Sequence, residues 1–164
     1  KDATRFSTDA PEHLAYLTQT TLSVDDTAAI IDVLQKRFPR IQAPSKDDIC
    51  YATTNRQQAV REIASSCDHV LIIGAPNSSN SLRLVEVARA NGCANSTLVQ
   101  RASDIDWQQL KPVRRLGLSA GASAPETLID EVLKALRTRF EIGVEEVTAV
   151  HEDVHFRLPN LLEQ

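Results

Sequence analysis

Three times along the chain, an apolar segment of strand length runs into a loop rich in hydroxyl and amide side chains, and that loop opens a helix. The middle occurrence is the clearest, because residues 69–74 are almost continuously apolar and residues 77–81 are all serine or asparagine. An uninterrupted apolar strand is typical of a parallel sheet that helices cover on both faces. The alternation of strands and helices therefore predicts an α/β fold with mostly parallel strands and flanking helices.

The same succession occurs at residues 13–17, followed by the polar loop 18–21, and at residues 115–119, followed by the loop 120–123. Each apolar segment is predicted to be a strand that ends at the loop. A further short strand is predicted at residues 96–99, and late strands at residues 144–150 and 155–158.

Local start signals accompany the helices. Ser23 lies three residues before Asp26, a spacing typical of a capping box, and predicts a helix from about Val24. By the same spacing, Thr54 and Gln57 predict a helix that begins after Thr54. Ser123 at the end of the third loop, followed closely by Pro125 in the first helical turn, predicts the start of the third helix.

A proline-bearing, largely polar segment at residues 39–44 divides the chain. The part before it, residues 1–45, holds one predicted strand and one long helix, which is too little for a core of its own. We therefore expect residues 1–45 to be the end of one α/β domain, and residues 46–164 to form a further α/β domain with a C-terminal tail.

Composition excludes several classes of protein. The 164 residues include 18 Lys and Arg against 22 Asp and Glu, a net charge of −4, which disfavours nucleic acid and anionic membranes as partners. No apolar run approaches the roughly 20 residues that cross a bilayer. The chain contains no methionine, so we expect it to be a fragment or a processed product.

The three cysteines are too few for the disulfide framework of a small secreted protein, and they favour a reducing cytoplasm. Cys50 precedes a predicted helix, a position that favours a thiolate acting as a nucleophile or a metal ligand. The plainer interpretation is a half-buried structural cysteine. We expect Cys67 to lie in the core and Cys93 in a loop.

The three polar loops share one physical property. Each is predicted to lie where a parallel strand ends and a helix begins, so that unpaired backbone N–H groups and the positive end of the helix dipole point outward. Such positions bind anions, phosphates above all. The plainer interpretation is that these side chains cap helices, but residues 77–81 contain more polar groups than one cap requires. The candidate binding residues are Thr20, Ser78, Ser79, Asn80 and Ser123.

Four segments together resemble the LytB family, in the family's order and at compatible spacings: residues 18–27, 47–57, 77–84 and 120–125. The resemblance covers almost the whole chain, but only about the C-terminal half of the family's protein. It implies reduction of 4-hydroxy-3-methylbut-2-enyl diphosphate to isopentenyl and dimethylallyl diphosphate, the last step of the non-mevalonate isoprenoid pathway. It also implies three pseudo-symmetric α/β domains around a [4Fe–4S] cluster.

The resemblance further implies a role for each candidate residue. Cys50 is similar to the last of three cysteine ligands of the cluster, and Thr20 to the catalytic threonine near the reacting end of the substrate. The residues similar to those that bind the diphosphate are Ser78, Ser79, Asn80 and Ser123. An electron donor such as flavodoxin or ferredoxin is implied as a partner.

The family's other two cysteine ligands precede the segments matched here, and one thiolate cannot hold a cubane cluster. We therefore expect the 164 residues alone to be inactive and free of the cluster, and to associate with themselves through exposed apolar surface. Two alternatives remain open: a non-enzymatic α/β module that binds a phosphorylated metabolite, and a thiol hydrolase with Cys50 as nucleophile, although no His–Asp pair accompanies that thiol in the sequence.

Overall fold

The structure is a computed structural model that describes residues 2–45 and 48–150. Its six α-helices and three strands within those ranges follow in chain order. The helices are α1 (Asp2–Arg5), α2 (Val24–Arg37), α3 (Tyr51–Ala64), α4 (Ser79–Ala90), α5 (Trp107–Leu110) and α6 (Glu126–Arg139), and the strands are β1 (His69–Ile73), β2 (Ser96–Val99) and β3 (Leu116–Ala120).

The three strands form one parallel sheet in the order β2-β1-β3. In its register Ile73 pairs with Val99 on one side and with Ala120 on the other, so the carboxyl ends of all three strands lie level. The α/β fold with parallel strands and flanking helices is confirmed. The level register places the loops that follow β1 and β3 next to each other at one edge of the sheet.

Strand β1 is buried along its whole length because helices cover both faces of the sheet. Val70 and Ile72 pack with α3 and α4 on one face, whereas Leu71 and Ile73 pack with α6 and the residues after β2 on the other. This two-sided burial is the physical reason for the continuous apolar run in the sequence.

Two predicted strands are wrong. Residues 13–17 make only one parallel bridge, between Ala15 and Gln42, because no further residue of the described chain pairs with them. Residues 144–150 have no regular structure, and Val144 and Val147 are exposed. The predicted strand at residues 155–158 lies outside the described residues.

Helix α3 begins earlier than its predicted start. Cys50 is the N-cap residue, and its carbonyl oxygen accepts hydrogen bonds from the backbone N–H groups of Thr53 and Thr54. Thr54 is therefore inside the first turn rather than before it. Gln57, expected to close a capping box, is instead fully buried and bonded to another part of the chain.

Cys93 lies in the loop between α4 and β2, as expected, but it is 2% exposed and belongs to the core, and its thiol donates to the carbonyl of Asn95. Cys67 packs against the same core, and burial raises the pKa of its thiol. Within residues 2–45 and 48–150, every helix is too short or too polar to cross a lipid bilayer.

Candidate functional site

The loop between β1 and α4 ends in a helix cap built from serines. Ser78 is the N-cap residue of α4, and its hydroxyl oxygen accepts hydrogen bonds from the backbone N–H of Ser81 at 3.3 Å and from the Ser81 hydroxyl at 3.0 Å. Ser79, the first helical residue, is exposed. The cap thus leaves the Ser79 hydroxyl at the surface, beside the positive end of the helix dipole.

Two glycines enclose Ser81 from different loops. A Cβ atom added at Gly74, directly after β1, would lie 2.1 Å from the Ser81 Oγ, and one added at Gly121, directly after β3, would lie 2.3 Å from the same atom. Only residues without a side chain permit this approach. The close contact brings the start of α4 against the loop that follows β3.

We expect Gly121→Ala to lower the free energy of unfolding of the chain by about 1–3 kcal/mol, the usual range for overpacking. The added Cβ would meet the Ser81 Oγ, but would lie 3.5 Å from the Ser81 Cβ, an ordinary contact. Adding Ser81→Ala should therefore restore most of the loss.

Gly74→Ala is the matched control, because its Cβ would lie only 2.6 Å from the Ser81 Cβ itself. Ser81→Ala should not rescue that variant. Chemical denaturation of the single and double variants measures both effects, and equal rescue at the two glycines would contradict the packing described here.

Asn80 lies in the first turn of α4 and is 7% exposed. Both atoms of its side-chain amide, Oδ1 and Nδ2, are buried without a hydrogen-bond partner among the described residues. The Nδ2 atom is 3.8 Å from the position that a Cβ of Gly121 would occupy, so this amide adjoins the loop after β3. A buried polar group without a partner costs about 1–3 kcal/mol, so this amide is a candidate for contact with a ligand.

Ser123 lies in the loop after β3, where the Ala124 backbone N–H donates to the Gly121 carbonyl. Its side chain is exposed, and the N-cap residue of α6 is Pro125 rather than Ser123. Ser123 is thus available to a ligand at the same sheet edge as Asn80.

Thr20 and Cys50 are both exposed and are joined directly, since the Cys50 backbone N–H donates to the Thr20 carbonyl at 3.1 Å. On either side of this bond two further side chains connect the same segments. Asp48 accepts from the backbone N–H of Thr18, and Gln57 binds the turn at the start of α2. Sequence reasoning missed both, because their partners lie 30 to 35 residues away.

The Cys50 end of α3 and the first turn of α4 lie on the same side of the sheet. The two helices pack together, and their last turns adjoin, because Ser65 after α3 lies 3.5 Å from the position of a Cβ on Gly92 after α4. Their first turns therefore both lie toward the carboxyl edge of the sheet. Two ion pairs connect the first turn of α2 to these helices: Arg61 in the last turn of α3 pairs with Asp25 at 2.8 Å, and Arg83 of α4 lies 3.8 Å from Asp26.

The Cys50 thiol lies apart from those of Cys67 and Cys93, which pack at the same core. Cys50 is exposed at the start of α3, whereas Cys67 follows the other end of that helix and Cys93 is in the core. In the described ranges no three His, Cys, Asp or Glu side chains are grouped to hold a metal ion. Cys50 is the exposed thiol of the described ranges and is a candidate for a single metal ligand.

His69 is 4% exposed at the start of β1, and its Nε2 lies 2.9 Å from the Thr97 Oγ1. Burial lowers the pKa of His69. It lies at the amino end of the sheet, away from the polar loops, and is a structural residue.

Known proteins match this chain over most or all of its length. The LytB protein family model matches residues 1–137. The 4-hydroxy-3-methylbut-2-enyl diphosphate reductase of Cereibacter sphaeroides is 60% identical over 154 residues, which are 94% of this chain and 48% of that protein. The enzyme of the same name from Paracoccus denitrificans is 55% identical over 164 residues, all of this chain and 52% of that protein.

Among solved structures, the E-1-hydroxy-2-methyl-but-2-enyl-4-diphosphate reductase of Plasmodium falciparum matches with a TM-score of 0.89 and 34% identity. The match covers 98% of this chain and 51% of that one. The chain thus spans about half the length of the relatives that it matches.

Proposed function

The chain belongs to the LytB protein family, and on that premise we propose that it supplies half of an oxidoreductase of isoprenoid biosynthesis. The substrate is 4-hydroxy-3-methylbut-2-enyl diphosphate, named for the relatives from Cereibacter and Paracoccus. Two electrons and two protons remove its hydroxyl group as water and give isopentenyl and dimethylallyl diphosphate. Because the chain spans about half of those relatives, the complete reaction requires the other half as well.

The observation that carries the proposal is the buried amide of Asn80, which finds no partner in the part of the chain that the structure describes and lies at the first turn of α4, beside the loop after β3. The carboxyl ends of parallel strands, with helix first turns behind them, are where phosphate groups bind. A diphosphate oxygen that accepts from the Asn80 Nδ2 would satisfy one of the two orphaned atoms. The orphaned amide thus supports a preformed site for an anionic ligand.

The neighbouring hydroxyls extend that site. Ser79 and Ser123 are exposed at the same sheet edge, where each donates to a phosphate oxygen, and Ser78 holds the first turn of α4 in shape. The positive ends of α4 and α6 add to the attraction. The diphosphate is thus bound by neutral donors and helix ends, without a lysine.

Cys50 is the residue of this chain that would hold the [4Fe–4S] cluster of the complete protein, as one of its cysteine ligands. When bound, the cluster would pass the donor's electrons to the substrate. Thr20, joined to Cys50 through the backbone, presents its hydroxyl at the reacting end of the substrate, where it orients that group by hydrogen bonding.

We propose the division of the chain as well: residues 1–45 end the second domain of the family's architecture, and residues 46–164 form the third. The protein works in the cytoplasm, where a flavodoxin or a ferredoxin donates the electrons. The exposed apolar side chains of Leu17 (81%) and Ile30 (52%) lie on the part assigned to the second domain, and they support self-association of the chain when it is alone.

A hybrid reductase tests the function. In it, this chain replaces the half of the Paracoccus denitrificans enzyme that it matches at 55% identity. Reconstituted with iron and sulfide without oxygen, the hybrid should be brown and should oxidise reduced methyl viologen only when the hydroxylated diphosphate is added. A hybrid that folds and binds iron but leaves the substrate unchanged would overturn the proposal.

The chain alone distinguishes the second candidate, a non-enzymatic module for a phosphorylated metabolite, which the Asn80 site also favours. Calorimetric titration with isopentenyl diphosphate should show absent or millimolar binding if the chain is half of an enzyme. Micromolar binding by the chain alone would favour the module.

A further inference from the structure

We propose that Asp48 and Gln57 are positioning residues that hold the Thr20 loop in register with Cys50. The inference rests on the proposed function, because it concerns the alignment of two groups of that site. Three connections join residues 18–24 to residues 48–57, and the Thr20–Cys50 backbone bond is the middle one.

The first connection is the carboxylate of Asp48, which precedes α3. Its Oδ2 accepts from the backbone N–H of Thr18 at 2.8 Å and lies 3.4 Å from the Thr18 Oγ1. Asp48 therefore binds the loop at Thr18, two residues before Thr20, and connects it to the segment that leads into Cys50.

The last connection is the side chain of Gln57, which is fully buried. Its Nε2 donates to the Leu22 carbonyl at 2.8 Å, and its Oε1 accepts from the backbone N–H of Val24 at 3.1 Å. Val24 is the first residue of α2, and its N–H is one of the four that a helix cannot satisfy itself. Ser23 caps the N–H of Asp26, so Gln57 completes the cap from a different helix.

All three connections hold the same segment, the Thr20 loop and the start of α2 at residues 18–24. The Thr20 loop has no sheet partner of its own in the described residues, and its other backbone bonds are local or join Ala15 and its neighbours to Gln42. Its distance from Cys50 is thus set by Asp48 before the middle bond and by Gln57 after it. Displacement of a reacting group by about 1 Å can lower a rate about 100-fold.

Hydrogen exchange of the 164-residue chain tests the coupling without any cluster or activity. Gln57→Leu removes the bonds to Leu22 and Val24. We expect exchange to accelerate about tenfold also at the Cys50 amide, which Gln57 does not touch, and to stay unchanged in β1. Gln58→Leu is the matched control, because Gln58 is exposed and bonds only to Glu62 on its own helix. Faster exchange confined to Val24 would overturn the inference.

A second pair of variants covers the case in which Gln57→Leu does not fold. Asp48→Ala removes the acceptor for the Thr18 N–H, whereas Asp48→Asn keeps an oxygen in the same position. Exchange at the Cys50 amide should accelerate in Asp48→Ala. In Asp48→Asn it should be within about twofold of wild type, because the hydrogen bond to the Thr18 N–H is kept. Equal exchange in the two variants would contradict a positioning role.

In the hybrid reductase, Gln57→Leu and Asp48→Ala should lower kcat about 10- to 100-fold with KM within about threefold, because the diphosphate residues are untouched. A rise in KM at constant kcat would overturn the inference. If the unmodified hybrid is itself inactive, the proposed function fails, and the exchange measurements alone decide whether the two residues hold the loop.

Discussion

Replacing Cys50 by serine is expected to leave the hybrid reductase colourless and inactive. A serine hydroxyl is a poor substitute for a thiolate at iron, and the described part of the chain offers no other cysteine near the start of α3. We expect the iron content to fall at least about tenfold and the turnover at least about 100-fold, the upper end of losses around metal sites. Iron analysis, the visible absorption spectrum and viologen oxidation measure these three quantities.

Cys67→Ser is the matched control. That thiol is half-buried at the opposite end of α3 and packs against the core, so its replacement should leave the colour and turnover of the hybrid within about twofold. A Cys50→Ser hybrid with an unaltered spectrum would contradict the ligand role, whatever its activity.

Replacing Asn80 by leucine should weaken substrate binding while it leaves the fold intact or stabilises it. A hydrogen bond to a charged group contributes about 1.5–3 kcal/mol, so KM should rise roughly 10- to 100-fold. Removal of two buried atoms without partners should raise the free energy of unfolding of the ligand-free chain, by up to about 1 kcal/mol. Steady-state kinetics of the hybrid measure KM, and urea denaturation of the chain measures the free energy of unfolding.

Asn91 offers the opposite case at the other end of the same helix. Its Nδ2 donates to the Val87 carbonyl at 2.8 Å, so Asn91→Leu should destabilise the chain by about 1 kcal/mol and leave KM unchanged. If Asn80→Leu were as destabilising as Asn91→Leu, the Asn80 amide would be a structural group, and its assignment to the diphosphate would fail.

At the start of α4, the stability of the ligand-free chain and the proposed ligand binding favour different side chains. The same turn contains one serine that satisfies the helix, Ser78, and one amide that nothing in the described chain satisfies, Asn80. Natural sequences depart from local consistency mainly at functional sites. For this reason the unsatisfied amide supports the proposed function more strongly than the serines, which a helix cap alone would explain.

Several features of the fold could be predicted from the sequence because they are local. The burial of β1 follows from an apolar run, and the start of α2 follows from Ser23, whose hydroxyl accepts from the backbone N–H of Asp26 three residues later. The family could be predicted for the same reason, because its motifs are short contiguous segments. The match of the LytB family model to residues 1–137 confirms it.

Other features could not be predicted because they depend on distant partners. The apolar residues 13–17 have the composition of a strand, but a strand also requires a neighbour, and only Gln42 pairs with them in the described chain. Cys93 follows a helix end and resembles a loop residue, yet the packing of α4 buries it.

By itself, the sequence determined that the fold is α/β with parallel strands and which chemical groups the candidate residues carry, because periodicity and capping act within a few residues. Only the tertiary structure decided that Asn80 is buried with no partner among the described residues, and that Asp48 and Gln57 connect the Thr20 loop to Cys50 and its helix. The physical reason is that a hydrogen bond across about 30 residues leaves no periodic trace in either segment, and the loss of solvent around an amide depends on every element packed against it.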